Sequence, residues 1–248
     1  MTEKNNEPRG TALVTGAARR VGRVIAVALA RAGYDVLVHY RSSETEARAV
    51  VAEIESLGRR AKAMQADLAD WSQTAHLCEE IGRLGWQVDV LVNSASVYYE
   101  TPLPTVTPAQ WQELLAVNLQ APFVLTQLLG IEMKRRGRGR IINIADCNTT
   151  RVYRNFTPYL AAKAGLVAMT EATALELAPE VTVNAISPGT VLPPDESDAE
   201  YHEAAVRRSP LKRAGTPEDI ADMVVYLATK GQFITGANFR VDGGATIR

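Results

Sequence analysis

The sequence predicts one doubly wound α/β domain, with helices on both faces of a parallel sheet. Three observations lead there. Short β-branched runs alternate with longer helical patterns along the whole chain. Most of those runs are nearly continuously apolar, as expected of strands covered on both faces. A glycine-bearing turn also joins the first strand to the first helix, the place where such sheets hold phosphate.

The elements follow in order. Candidate strands are Ala12–Thr15, Val36–His39, Lys62–Gln65, Val88–Asn93, Arg140–Ala145, Thr182–Ser187 and Asn238–Asp242. Helical patterns lie between them near residues 22–32, 44–57, 72–84, 108–135, 157–178 and 217–229. Strand, helix, strand alternation implies right-handed crossovers, and ligands then bind beyond the strands' C-terminal ends. Pro158 suits the first turn of its helix, where a missing N–H costs little. Thr216-Pro217-Glu218-Asp219 reads as a helix start. The segment Asp195–Glu200, after Pro193 and Pro194, reads as a loop over a site, and 190–205 as a stretch without predictable structure.

Composition sets limits. The chain has 248 residues, ordinary for one α/β domain, so residues 1–248 are read as one unit. At that size folding buries roughly 70–75% of the unfolded surface, and no disulfide or metal is needed. Cys78 and Cys147 form no CxxC pair, which fits reduced thiols and a cytoplasmic setting. Formal charge is −1. The basic run Lys134, Arg135, Arg136, Arg138, Arg140 is broken by Gly137 and Gly139, so it reads as a helix-to-strand turn. Nucleic acid is not the expected partner. Residues 1–9 read as a flexible polar tail without the apolar core of a leader. Apolar stretches such as Val24–Ala30 fall short of a membrane span. No linker or repeat is visible.

The first strand runs into Thr15-Gly16-Ala17-Ala18-Arg19-Arg20-Val21-Gly22. Gly16 permits a tight turn and Gly22 a close helix approach, and helix-start N–H groups can hold a pyrophosphate. This is a Rossmann-type arrangement. Binders of NAD usually place an acid at the end of the second strand to accept from the ribose 2′-hydroxyl. This chain has His39-Tyr40-Arg41-Ser42-Ser43 there. Arg41 offers a forked cation and Ser42 a hydroxyl, and Arg20 can approach the same phosphate, so NADPH is the expected cofactor. Asp67 can accept from the adenine amino group or simply cap its loop.

Tyr159 and Lys163 are four residues apart on a predicted helix and share one face. A neighbouring ammonium favours tyrosinate and lowers a tyrosine pKa, which suits proton transfer.

With these pieces placed, the chain resembles the short-chain dehydrogenase/reductase family over its whole length. The matching residues are Thr15-Gly16…Gly22, Asp67, Asn93-Ser94-Ala95, Asn118, Tyr159…Lys163, Pro188-Gly189 and Val241-Asp242-Gly243-Gly244. The resemblance implies a seven-stranded Rossmann sheet, an Asn118–Lys163–Tyr159 proton relay and a homotetramer. It also implies a cofactor contact set that includes Val21, His39, Tyr40, Leu68, Asn93, Ala95, Pro188 and Gly189.

The departures carry the specificity. Arg20 stands where the family commonly has Gly, Ser94 where it has a second Asn, and Pro193 where it has a nicotinamide-contacting Thr. Thirteen residues before Tyr159 the family has Ser, and this chain has Asp146. A Ser hydroxyl donates to the oxyanion that forms as a ketone is reduced, whereas an ionised Asp146 repels it. A C=N nitrogen instead needs a proton, and Asp146 can accept hydrogen bonds from ring N–H or amino groups. A protonated, Ser-like Asp146 is the opposing reading.

Asp146 with Tyr159, Arg20, His39-Tyr40-Arg41-Ser42 and Asn93-Ser94-Ala95-Ser96 resemble one branch, the pteridine reductases and dihydromonapterin reductases. Glu196-Ser197-Asp198-Ala199-Glu200-Tyr201 resembles the bacterial dihydromonapterin type. This implies NADPH-dependent reduction of dihydropterins or dihydrofolate to tetrahydro forms. Tyr98 falls where that branch places an aromatic, and either stacks on the pterin or lies on the rim. Ser96 touches cofactor or pterin. Two rival functions stand: a reductase of 3-oxoacyl thioesters or small ketones, and a non-catalytic NADPH-binding regulator.

Overall fold

The computed structural model describes residues 8–192 and 199–247. The expectations for residues 1–7 of the tail, and for Pro193, Pro194 and residues 195–198, fall outside that range. Arg9, in the predicted tail, donates its N–H to the Gly33 carbonyl at 2.9 Å.

The strands are β1 (Thr11–Val14), β2 (Asp35–Tyr40), β3 (Ala61–Gln65), β4 (Val88–Asn93), β5 (Gly139–Ile144), β6 (Val181–Pro188) and β7 (Asn238–Val241). They form one seven-stranded sheet in the order β3-β2-β1-β4-β5-β6-β7, with every pairing parallel. The expected doubly wound α/β fold is therefore present, and each predicted strand lies within a residue or two of the observed one.

The helices are α1 (Arg20–Arg31), α2 (Glu44–Ser56), α3 (Trp71–Arg83), α4 (Pro108–Leu115), α5 (Ala121–Arg135), α6 (Thr157–Leu177), α7 (Ala199–Arg208) and α8 (Pro217–Thr229). Side chains alternate across the sheet and make two cores. Ala12, Val14, Val36, Val38, Val90 and Val92 pack with Ile25, Ile54 and Val224 of α1, α2 and α8. Leu13, Leu37, Leu91 and Ile141 pack with Leu77, Leu125 and Met133 of α3 and α5.

Two expectations need correction. The predicted helix 108–135 is not one regular helix, since a π-helical turn at Ala116–Gln120 joins α4 to α5. The combined stretch Pro108–Arg135 is apolar and long enough to cross a membrane by length and composition, yet 56% of its most apolar 18-residue window is buried inside the fold. Scattered polar residues such as Asn118 and Gln120 hide that length from a reading of unbroken apolar runs. Residues 190–205 were expected as loop, but α7 begins at Ala199. Its first turn carries charged and polar residues with no clear apolar stripe. Pro158 and the Thr216 start behave as expected. Pro158 occupies the first turn of α6, and Thr216 and Asp219 form a reciprocal cap on α8. The basic run is a turn, with Arg138 Nε 3.1 Å from Asp89 Oδ1.

Strand order reverses between β1 and β4, so their C-terminal ends diverge and open a cleft. Two buried side chains tie down the backbone there. Thr15 Oγ1 accepts from the N–H groups of Ser94 at 2.9 Å and Ala95 at 3.0 Å. His39 Nδ1 accepts from Gly16 N–H at 3.1 Å, and its Nε2 lies 3.1 Å from the Ala66 carbonyl. Those partners require the neutral Nε2–H tautomer. His39 is thus a buried brace whose ring nitrogens are both engaged, and it also lines the cleft. Side-chain alternation on β2 turns its ring inward, onto the glycine turn.

Burial lowers the His39 pKa to about 4. The unfolded chain then binds the extra proton at higher pH, so this part of the stability is complete above about pH 6.5. It is lost as pH falls toward 4. His39→Leu, which leaves the Gly16 N–H and Ala66 carbonyl unpaired, should cost about 2–4 kcal/mol in urea unfolding at pH 7.5. The gap to wild type should shrink as pH drops from 6.5 to 4.5, and a constant gap would contradict the bracing role.

Candidate active site

The cleft beyond the strand ends has a volume of about 1280 Å³. That exceeds what a drug-sized ligand needs and leaves room for a dinucleotide beside a second, smaller molecule.

Its nucleotide end is built from the β1–α1 turn. Gly16 adopts φ +65°, and a Cβ there would sit 2.9 Å from Ala95 Cα. Gly22 presses on the turn itself, since its Cβ would meet the Gly16 carbonyl oxygen at 2.3 Å. Close approach therefore fixes both glycines, although Gly22 packs on the turn and not, as expected, on the sheet. The first turn of α1 carries no acid and no side-chain cap, so its N–H groups and dipole remain for an anion. A pyrophosphate fits this cradle. Gly16's own N–H is not part of it, because His39 holds it.

Arg20 and Arg19 divide differently from the expectation. Arg20 is held at φ +53°, the conformation that explains why glycine is common at this place. From there its Nη2 reaches toward the Leu192 carbonyl at 3.5 Å, on the far side of the cleft, and not toward Arg41. Arg19, which no motif singled out, pairs with Glu46 of α2 and lies on the Arg41 side. Arg41 and Ser42 are exposed on the cleft wall, with Tyr40, Val21 and Leu68 beside them. Among the described residues, the Arg41 guanidinium makes no ion pair.

Asp67 lines the cleft, but Oδ1 already accepts from Ala69 N–H at 3.0 Å. The loop-capping alternative is realised on that oxygen. Ala95, Pro188 and Gly189 line the cleft as expected, and a Cβ on Gly189 would lie 2.7 Å from Asp242 Cα. Asn93 does not line it. Its Nδ2 donates to Asn143 Oδ1 at 2.8 Å, and Asn143 passes the chain to Thr170 at 2.9 Å. Asn93 braces β4 against β5 and α6, because its side chain points to the helix-covered face.

The other end of the cleft brings Tyr159, Lys163 and Asp146 together. Tyr159 and Lys163 stand one turn apart on α6, 6% and 3% exposed. The Tyr159 hydroxyl donates to Asp146 Oδ2 at 2.9 Å. Lys163 Nζ donates to the Ile144 carbonyl at 2.8 Å and lies 5.8 Å from the Tyr159 ring centroid. The expected lowering of the Tyr159 pKa is reversed. Burial pushes it well above its ordinary value, with the Asp146 charge and hydrogen bond adding to the rise. Burial lowers Lys163 to about 8, against the opposing pull of Asp146. The ammonium is turned toward backbone, so the carboxylate dominates the phenol's surroundings.

Asn118 lies at the site but not as a free relay side chain. Its Oδ1 accepts from Ser96 Oγ at 2.7 Å, and its Nδ2 donates to the carbonyls of Val97 and Leu114, both at 2.9 Å. Within the π-helical turn it pins the 94–100 loop, and Ser96 is engaged with it. Tyr98 stacks on Phe156 with centroids 4.6 Å apart and meets Tyr159 edge-on at 4.9 Å. One of its faces is therefore taken by protein, which restricts any flat ligand to the other. Sequence reasoning missed Phe156, Asn148 and Glu113. Asn148 holds Asp146 Oδ1 with two N–H groups, and Glu113 accepts from Tyr99 at 2.8 Å. The Asp-x-Asn spacing was a readable turn signal for Asn148. Nothing local marks Glu113 or Phe156.

Known proteins agree with this geometry. A family model described as enoyl-(acyl carrier protein) reductase, adh_short_C2, matches residues 16–246. The 3-oxoacyl-(acyl-carrier-protein) reductase FabG of Staphylococcus aureus (strain N315) is 37% identical over 239 residues, covering 94% of this chain and 97% of that protein. The 3-oxoacyl-(acyl-carrier-protein) reductase of Synechocystis sp. is 39% identical over 236 residues, covering 94% and 95%. Among solved structures, a blue fluorescent protein from a metagenomic library, in complex with NADPH, superposes with a TM-score of 0.90 at 38% identity. That match covers 97% of this chain and 99% of the other. A dehydrogenase/reductase from Sinorhizobium meliloti 1021 gives 0.87 at 37% identity, covering 96% of each chain. The fold, the glycine turn and the Tyr159–Lys163 pair thus have one explanation: the chain belongs to the short-chain dehydrogenase/reductase family and is an oxidoreductase that works with a nicotinamide cofactor.

Proposed function

We propose that the chain is an NADPH-dependent reductase of pterins, taking dihydropterins such as dihydrobiopterin, dihydromonapterin or dihydrofolate to tetrahydro forms. One observation carries the reading: the Tyr159 hydroxyl is hydrogen-bonded to a carboxylate, Asp146, at 2.9 Å. An ionised carboxylate there offers acceptors to a heterocycle's N–H groups and opposes a nascent alkoxide. Burial, with the Asp146 charge and hydrogen bond added, keeps the Tyr159 phenol protonated.

A bound reduced nicotinamide supplies the hydride to a ring carbon. The adjacent ring nitrogen takes its proton from the Tyr159 hydroxyl or, for a 5,6 double bond, from water through Asp146. Either way one solvent proton is consumed. Lys163 orients the cofactor ribose, and Asn118 holds Ser96 and the loop that carries Tyr98. Tyr98 offers its remaining face to a flat bicycle. The α1 turn, with Arg20 across its opening, would hold the cofactor's pyrophosphate, and Arg41 and Ser42, with Arg19 on the same side, would hold its 2′-phosphate.

A second reading is reduction of a 3-oxoacyl thioester. It is favoured by the names of the Staphylococcus and Synechocystis relatives at 37% and 39% identity. Those relatives support an NADPH-linked carbonyl reductase more directly than a pterin enzyme. Asp146 is the feature that weighs the other way.

The assembly is proposed as a homotetramer. Helices α4, α5 and α6 expose Trp111, Phe123, Ile131 and Leu175, and Tyr226 of α8 and the nearby Phe233 are also exposed. Exposed large apolar residues on helices α4, α5, α6 and α8 suit contacts with further copies of the chain. A cytoplasmic setting fits both thiols, which burial raises to about 12 and keeps protonated.

Four outcomes are expected. NADPH oxidation should proceed with dihydrobiopterin and be at least tenfold slower with an acetoacetyl thioester. Asp146→Ser should lose pterin turnover by about 100-fold or more, within the range for a proton-handling group. A thioester preference in the wild type would sink the pterin reading and install the second one. Arg41→Ala should raise KM for NADPH about tenfold or more and leave KM for NADH nearly unchanged, as one charge-assisted contact predicts. Analytical ultracentrifugation should give a mass near four chains, and a monomer at micromolar concentration would refute the assembly.

A further inference from the structure

The two oxygens of Asp146 are held by different groups. Its Oδ1 receives the backbone N–H of Asn148 at 2.7 Å and the Asn148 side-chain amide at 2.9 Å. Among the described residues, its Oδ2 receives the Tyr159 hydroxyl, at 2.9 Å. Capping the short 3-10 turn Cys147–Thr149 needs just the backbone N–H. The side-chain amide is an additional donor aimed at the same oxygen. Asn148 is partly buried and lines the cleft beside Asp146.

We propose that Asn148 is a positioning residue that makes Asp146 a directional proton carrier. Two N–H groups on Oδ1 leave no room for a proton there, so any proton that Asp146 carries resides on Oδ2, in line with the Tyr159 oxygen. The same two bonds fix the carboxylate plane and stop the oxygens from exchanging places. A proton entering from water therefore passes to Oδ2, and a new Oδ2–H bond forms as the water O–H bond breaks. That Oδ2–H bond then breaks as the proton moves to the Tyr159 oxygen, which has given its own proton to substrate nitrogen. No electrons move in this relay. The inference rests on the reading of Asp146 as part of the proton path.

The test uses the full-length enzyme with NADPH and dihydrobiopterin. Asn148→Ala removes the amide and keeps the backbone bond. Asn148→Asp keeps the shape and replaces the donor with an acceptor. Both should lower kcat, Asn148→Ala on the order of tenfold, the factor for one hydrogen bond to a charged group, and Asn148→Asp further. KM, the NADPH dissociation constant and the melting temperature should stay near wild type. The solvent deuterium isotope effect on kcat should rise, because proton delivery becomes slower than hydride transfer. An unchanged kcat and isotope effect in both variants, with Asp146→Ser still impaired, overturns this role of Asn148 alone. So does a kcat loss that merely tracks weaker NADPH binding or a lower melting temperature. An unimpaired Asp146→Ser instead overturns the reading of the site beneath it. If the wild type turns over only the thioester, the pterin assignment fails, and the same variants measured on that substrate decide the role of Asn148.

Discussion

The cleft depends on one buried hydroxyl. β1 and β4 are neighbours whose chains part at their C-terminal ends, and backbone N–H groups there lose their ladder partners. Thr15 Oγ1 takes two of them, from Ser94 and Ala95, at a residue 1% exposed. That junction sets how close the β1–α1 turn comes to the end of β4, which in turn demands glycine at position 16. His39 completes the frame from the β2 side. The nucleotide cradle is therefore shaped by satisfied buried polar groups, with little slack for a side chain to intrude.

The chemical end shows the same economy with charges. Asp146, Tyr159 and Lys163 share a mostly buried site, where an uncompensated charge is expensive. The phenol and the ammonium respond in opposite senses, the first held protonated and the second pushed toward neutrality. The carboxylate spends one oxygen on Asn148 and the other on Tyr159, so it keeps hydrogen-bond partners as water is displaced. Aromatic rings of Tyr98 and Phe156 close the wall beside it. This arrangement strengthens every polar contact made to a substrate in that space.

Much of this was legible in the sequence because its signals are periodic. Short, mostly apolar runs alternating with helical patterns located all seven strands, and the glycine turn, Asp146, Tyr159 and Lys163 fell where the fold gathers them. The failures have a common cause. Position along a motif places Asn93 and Asn118 at the site, yet the pleat and the π-helical turn decide where their side chains point, and both are spent on bracing. The tyrosine pKa went astray because a four-residue helical spacing gives proximity without orientation, and Lys163 turns to the Ile144 carbonyl. Arg19 and Arg20 are adjacent in sequence but diverge in space, since the chain reverses its backbone hand between them. Helix α7 escaped because its initial turn lacks an apolar stripe.

That reversal at Arg20 has a consequence for how the protein can change. An L-residue in the left-handed region carries roughly 1–2 kcal/mol of steric penalty that glycine avoids. The chain tolerates this at the mouth of its own phosphate cradle, where the side chain places a cation across the opening. Reversion to glycine would relax the backbone and discharge the gate in one step. Selection for thermal robustness and selection for anion capture thus pull on the same codon in opposite directions.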